Sequence, residues 1–138
     1  MKVSKKKSLL NTNLITQIAL VVDDIKETAK NFAQLLGTET PKISETSEFD
    51  KTHAEYCGEP TKARAKLAFF KFKNITLELI EPIGGPSTWK AHLDKYGPGI
   101  HHIAFNVKDT LQKVEELEKQ GIEMEQKGNF PGGHYVYM

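Results

Sequence analysis

A short phrase occurs twice in this 138-residue chain, and it constrains the fold more than any other feature. Ile15-Thr16-Gln17-Ile18-Ala19-Leu20-Val21-Val22-Asp23-Asp24 returns as Ile100-His101-His102-Ile103-Ala104-Phe105-Asn106-Val107-Lys108-Asp109. Each copy precedes a helical pattern that stops at a glycine, Gly37 or Gly121. The repeat divides one small domain into two related modules and lays Gln17 on His102.

Both copies spell strand, cap, helix and stop with the same devices. In the first, the β-branched run 15–22 reads as a strand. Alternation sets Gln17, Ala19 and Val21 on one face and Ile18, Leu20 and Val22 on the other. Asp24 is placed to cap a helix, with Glu27 at capping-box spacing. Ile25, Ala29, Phe32 and Leu36 form an apolar stripe, and Gly37 suits the left-handed residue past a helix end. In the second copy Ile103, Phe105 and Val107 share one face, and His102, Ala104 and Asn106 the other. Asp109 and Gln112 repeat the capping-box spacing, Leu111, Val114 and Leu117 the stripe, and Gly121 the stop.

Between the copies, residues 43–57 read as a weak strand and a loop. Residues 65–72 and 75–81 read as strands joined by a turn at Lys73-Asn74. The proline- and glycine-rich run 81–86 reads as a loop. Ser87 caps an expected linker helix over 88–96. Further strands are expected at 122–127 and 134–138. The organisation is a basic tail (1–13), module one (14–86), a linker (87–98) and module two (99–138). Thr76-Leu77-Glu78-Leu79-Ile80 has no counterpart before Met138. The second module is therefore expected to be one strand short, with an open sheet edge that a partner chain could cover.

Composition excludes several classes. No apolar run approaches the roughly 18 residues of a membrane span. The 19 Lys and Arg include Lys2, Lys5, Lys6 and Lys7 of the tail, which leaves 15 against 18 acidic residues. That balance argues against a nucleic-acid surface. Cys57 is the single cysteine, so no internal disulfide forms and a cytoplasmic location is expected.

Paired β-α-β-β-β modules, with Gly99-Ile-His-His-Ile-Ala-Phe-Asn-Val107 and Leu77-Glu-Leu-Ile-Glu-Pro82, resemble the vicinal oxygen chelate superfamily. That group includes glyoxalase I, methylmalonyl-CoA epimerase, extradiol dioxygenases and bleomycin-resistance proteins. The stretch from Glu78 through Pro86-Ser87-Thr88-Trp89 to His102 is similar to the epimerase branch. The resemblance covers about residues 14–138 and implies an α+β fold of two modules around a cleft. It also implies a homodimer, a small carbonyl or acyl-CoA-like substrate, and a divalent metal ion (Co, Mn, Ni or Zn). Matched by motif, the metal positions are Gln17, Glu78 and His102; the fourth, a glutamate on a final strand, lies beyond Met138. The implied chemistry is Lewis-acid stabilisation of an enediolate-like species during proton transfer.

These residues carry plainer readings too. His102, on the strand face opposite the helix stripe, is a candidate ligand or a histidine bonded within the sheet. Glu78 between two leucines is costly unless paired or metal-bound. Gln17 stands where catalytic relatives carry histidine and reads first as a residue bonded to nearby backbone. His101 alternates to the other face and takes no metal role, and Glu81 reads as a solvated strand end. Glu59 is the candidate catalytic base, with Lys62 at the motif position itself. Trp89 reads as a packing residue, and Phe130-Pro131-Gly132-Gly133-His134 as a turn.

Two functions follow as expectations. One is a metal-dependent epimerase, isomerase or lyase acting by proton transfer. The other is a metal-free small-molecule binding protein of the bleomycin-resistance type, or a truncated, inactive copy.

Overall fold

The two copies of the repeated phrase lie side by side as strands β1 (Gln17–Val21) and β7 (Gly99–Ala104) of a computed structural model that describes residues 6–138. They pair antiparallel, with Gln17 opposite Ala104, Ile18 opposite Ile103 and Ala19 opposite His102. The repeat maps Gln17 onto His102 and Ala19 onto Ala104, so it exchanges the first and last of these pairs. A local two-fold axis therefore passes through the Ile18–Ile103 pair. Lys2 and Lys5 of the expected tail lie outside the described residues. Ser8 Oγ accepts from the Asn11 backbone N–H at 2.9 Å, which closes a turn before β1.

Helix α1 (Ile25–Leu36) follows β1 as the sequence anticipates. Asp24 Oδ1 accepts from the Glu27 N–H at 3.0 Å, and Gly37 ends the helix at φ 66°. Short elements come next: β2 (Ser44–Glu45), α2 (Phe49–Thr52), β3 (Glu55–Tyr56) and β4 (Glu59–Pro60). The long hairpin of β5 (Ala63–Lys71) and β6 (Thr76–Gly84) completes module one. β6 runs through the expected loop because β5 pairs with it as far as Gly84, while β1 stops pairing at Ile80. Beyond that point β6 is an edge on one side, where Pro82 needs no N–H partner. Helix α3 (Thr88–Tyr96), capped by Ser87 Oγ, leads into β7. Helix α4 (Thr110–Lys119), β8 (Gln126–Phe130) and β9 (Gly133–Tyr137) follow. β8 starts later than the expected 122–127, and Pro131-Gly132 forms the hairpin turn, with Gly132 at φ 87°.

The strands form two sheets, ordered β2-β5-β6-β1-β7 and β4-β3-β8-β9. The two faces of β1 divide the core. Ile18, Leu20 and Val22 pack with Ile25, Ala29 and Ala33 of α1 and with Phe70 and Leu79. Ala19 and Val21 pack on the other side with Ala63, Ala65, Ile80 and Trp89. The helix covers one face of the large sheet, and the cleft lies on the other.

Module two departs from module one. None of the α4 residues is buried, and Leu111 is 72% exposed. Asp109 sits at φ 55° and caps nothing with its side chain; the Gln112 amide bonds Glu116 instead of closing a capping box. The cause lies in the sheets. β1 has β6 as a parallel neighbour, but among the described residues no strand pairs with the outer edge of β7 or of β9. The apolar stripe of α4 has no completed sheet to cover, and Ile100 and Ile103 stay more than half or half exposed, at 62% and 50%.

Candidate metal and substrate cleft

Three strands build the site. The parallel register of β6 with β1 sets Glu78 beside Ala19, and the antiparallel register of β7 sets His102 on the other side of Ala19. Ala19 is fully buried and ends at a methyl group, so the larger side chains flanking it can approach over its top. Gln17, two residues back on the same face, fills the gap. Its Nε2 donates to Glu78 Oε2 at 2.9 Å, and its Oε1 lies 3.1 Å from His102 Nε2. The three residues that the family resemblance implies as metal positions are thus brought into one hydrogen-bonded cluster.

The cluster is short of positive charge. Glu78 is 8% exposed, and among the described residues no Lys or Arg pairs with it. Burial pushes its carboxyl up to about 7, against a smaller opposing effect of the Gln17 hydrogen bond. Burial and then the neighbouring His101 hold His102 down at about 4. Burial and then His92 do the same to His101. The imidazoles are therefore neutral near pH 7, each with one lone pair, beside a buried carboxyl group that is about half ionised there and has no Lys or Arg partner among the described residues. An imidazole, a carboxylate and an amide oxygen fit a divalent cation as three donors. Among the described residues, no group of three His, Cys, Asp or Glu side chains is arranged to hold a metal; the third donor of a metal here would be the Gln17 amide.

His101 corrects the sequence expectation. The β1–β7 register shifts at this point: Ala19 faces His102 while Leu20 faces Ile100. His101 is the extra residue of a β-bulge, which breaks alternation and turns both histidines toward the cleft. Its Nδ1 lies 2.8 Å from His102 Nδ1, and its Nε2 3.2 Å from Thr88 Oγ1. Tyr137 packs against both rings, tilted at 4.7 Å from His102 and edge-on at 5.4 Å from His101. Trp89 is buried, as expected of a packing residue, and its Nε1–H donates to Tyr137 Oη at 3.1 Å. Burial and then the Glu78 charge raise Tyr137 well above the ordinary phenol range. Tyr137, Thr88 and His101 are the site residues that strand periodicity did not single out; bulges and tertiary stacking leave no mark in it.

Other expected positions fall elsewhere. Glu59 is exposed on the β3–β4 hairpin opposite Tyr56 and is not on the cleft wall. Lys62 is exposed as well. Glu81 is no free strand end: it accepts from the Ile25 N–H at 3.1 Å, at the N-terminus of α1, and pairs with Lys66 at 3.3 Å. Cys57 is exposed.

The cleft around the cluster has a volume of about 1430 Å³, above the roughly 300–1,000 Å³ of a usual ligand pocket. Its walls explain the excess. They include Gln17, Glu78 and His102 on one side and Val114 and Leu117 of α4 on the other. One continuous cleft thus runs from the polar cluster to the apolar residues of α4. Among the described residues, no helix is long and apolar enough to cross a membrane.

The fold and cluster define a two-module α+β protein with a concave cleft built on its two-fold-related strands. A family model described as the Glyoxalase/Bleomycin resistance protein/Dioxygenase superfamily matches residues 16–138, and the chain belongs to that superfamily. It is 25% identical over 108 residues to an ethylmalonyl-CoA/methylmalonyl-CoA epimerase of Cereibacter sphaeroides, covering 78% of this chain and 70% of that one. It is 34% identical over 61 residues to the uncharacterized protein YqjC of Bacillus subtilis, a match that spans 44% of either chain. Among solved structures, methylmalonyl-CoA epimerase from Mycobacterium tuberculosis shares the fold at a TM-score of 0.59 and 16% identity, over 96% of this chain and 84% of that one.

Proposed function

We propose that this chain is a metal-dependent epimerase, isomerase or lyase of the methylmalonyl-CoA epimerase and glyoxalase type. It would move a proton at the carbon beside a carbonyl or thioester. One observation carries the reading: Gln17, Glu78 and His102 converge over Ala19, and among the described residues no Lys or Arg pairs with the buried carboxyl group among them. These three side chains would hold the metal, which when bound supplies a Lewis acid to polarise the substrate carbonyl. The residues around them shape the chemistry. Neutral His102 would offer its Nε2 lone pair to the cation once that atom gives up its hydrogen bond to Gln17 Oε1. Tyr137 keeps its proton and, with its oxygen already accepting from Trp89, has an O–H to donate to a substrate oxygen. The relative that acts on ethylmalonyl-CoA and methylmalonyl-CoA makes an acyl-CoA the first substrate class to try. Homodimer formation and a cytoplasmic setting belong to this proposal.

A second reading has its own support. Gln17 satisfies Glu78 and His102 at once without metal, and neither Glu59 nor Lys62 reaches the cleft to serve as a base. Both points favour a binding protein that uses the cleft without catalysis.

Exchange of the substrate α-proton in deuterated buffer separates the two. Catalysis predicts incorporation into malonyl-type acyl-CoAs that depends on added Co(II) or Mn(II) and falls at least about 100-fold in His102→Ala, the scale expected for loss of a proton-transfer or electrostatic group. No exchange above buffer across the panel would retire the enzyme reading in favour of the binder.

A further inference from the structure

A single chain of hydrogen bonds runs through the cleft: Thr88, His101, His102, Gln17, Glu78. Its direction follows from what each group can donate. A glutamine NH2 only donates and its oxygen only accepts. With Nε2 donating to Glu78, Gln17 must accept at Oε1, so the proton of neutral His102 is on Nε2. His102 Nδ1 is then a lone pair, and the 2.8 Å contact requires the proton of His101 to be on Nδ1. His101 Nε2 is left to accept from the Thr88 hydroxyl. One amide thus sets the tautomers of both histidines.

A metal at this site demands the opposite arrangement. The ring atom of His102 that faces Gln17 and Glu78 is Nε2, and coordination needs its lone pair. The ring proton must then be on Nδ1. There it meets His101 Nδ1, which has to become the acceptor, and the proton of His101 moves to Nε2 and is donated to Thr88 Oγ1. Thr88 can take either part because a hydroxyl both donates and accepts. The β-bulge that turns His101 inward is what gives His102 a partner able to reverse.

We propose that His101 is a positioning residue whose tautomer switches when the Gln17–Glu78–His102 cluster takes up a divalent metal, so that it fixes the proton of His102 away from the metal. The inference rests on the metal-site reading above, but its first half concerns the metal-free chain alone. Nothing in it requires His101 to touch metal or substrate.

Histidine-15N-labelled protein tests it by long-range 15N–1H correlation, first in EDTA and then with one equivalent of Zn(II). Without metal, His102 should carry its proton on Nε2 and His101 on Nδ1. With zinc, His102 Nε2 should show the shift of a coordinated nitrogen, and the two protons should be found on His102 Nδ1 and His101 Nε2. The reverse tautomers in EDTA, or a His101 proton still on Nδ1 with zinc on His102, would overturn the proposal. Zinc that leaves His102 Nε2 unshifted would instead remove the metal reading, while the EDTA spectrum still decides the first half. Two variants complete the test. His101→Phe, which cannot accept from His102, should bind zinc about 10–100-fold more weakly, the scale for loss of a partner behind a ligating histidine. His101→Gln, which can accept, should stay within a few-fold of wild type. Equal losses in both variants would mean that His101 only packs.

Discussion

Replacing Glu78 with glutamine removes one charge from the cleft and leaves its shape. In the folded chain the carboxyl is raised to about 7 from an ordinary 4.5, chiefly by burial. That difference is worth about 3 kcal/mol. The sign follows from which state holds the proton. Below pH 4.5 the carboxyl is protonated both folded and unfolded, and it has no effect on the balance. Between 4.5 and 7 the unfolded chain releases the proton while the folded chain keeps it, so stability falls as pH rises. Above 7 the loss is complete and constant. Metal-free Glu78→Gln should therefore match wild type near pH 4.5 and exceed it by about 3 kcal/mol at pH 8. Neutral glutamine can still accept from Gln17 Nε2, so the cluster geometry survives. His101 and His102, lowered to about 4 by burial, destabilise both proteins as pH falls from 6.5, and they cancel in the comparison. Urea unfolding in EDTA, followed through the single Trp89 from pH 5 to 8.5, measures the difference. A gap that does not change with pH, or a wild type that is the more stable protein at pH 8, would refute the claim that Glu78 is a buried carboxylate without a countercharge.

Further outcomes follow from the same geometry. Gln17→His replaces a neutral amide oxygen with an imidazole donor at the two-fold mate of His102; zinc affinity by competition titration should rise about 10-fold or more, and an unchanged or weaker affinity would place position 17 outside the cation's reach. Leu79 is fully buried against α1 and Leu111 is 72% exposed on α4. Leu79→Ala should cost about 2–5 kcal/mol and Leu111→Ala less than about 0.5 kcal/mol, measured by urea unfolding; comparable costs would show that α4 covers a core the structure does not contain.

How legible the site was depends on which force positions each residue. Gln17 and His102 were readable because alternation along a strand is local, and because the repeat compares two strands built alike. The cost of a carboxylate between Leu77 and Leu79 marks Glu78 as unusual, but only the family resemblance points it to the cleft. His101 was not: a bulge depends on how β7 meets β1 and leaves no periodic trace. The cap at Asp24 was legible because its partner lies three residues away. The same spacing at Asp109 failed because that residue adopts a left-handed conformation ahead of a helix none of whose residues is buried. The short strands β2, β3 and β4 span two residues each, too few for alternation to reveal. Glu59 is a candidate only through its nearness to the motif position, Lys62, and it lies exposed on the β3–β4 hairpin, off the cleft wall.

Metal content tests the central claim most directly. Wild type, Glu78→Gln and His102→Ala would each be equilibrated with Co(II), freed of excess metal, and measured by mass spectrometry. Wild type should retain close to one cobalt per chain, and each variant a small fraction of that. Equal retention by all three, or none by wild type, would contradict a metal site built from Gln17, Glu78 and His102.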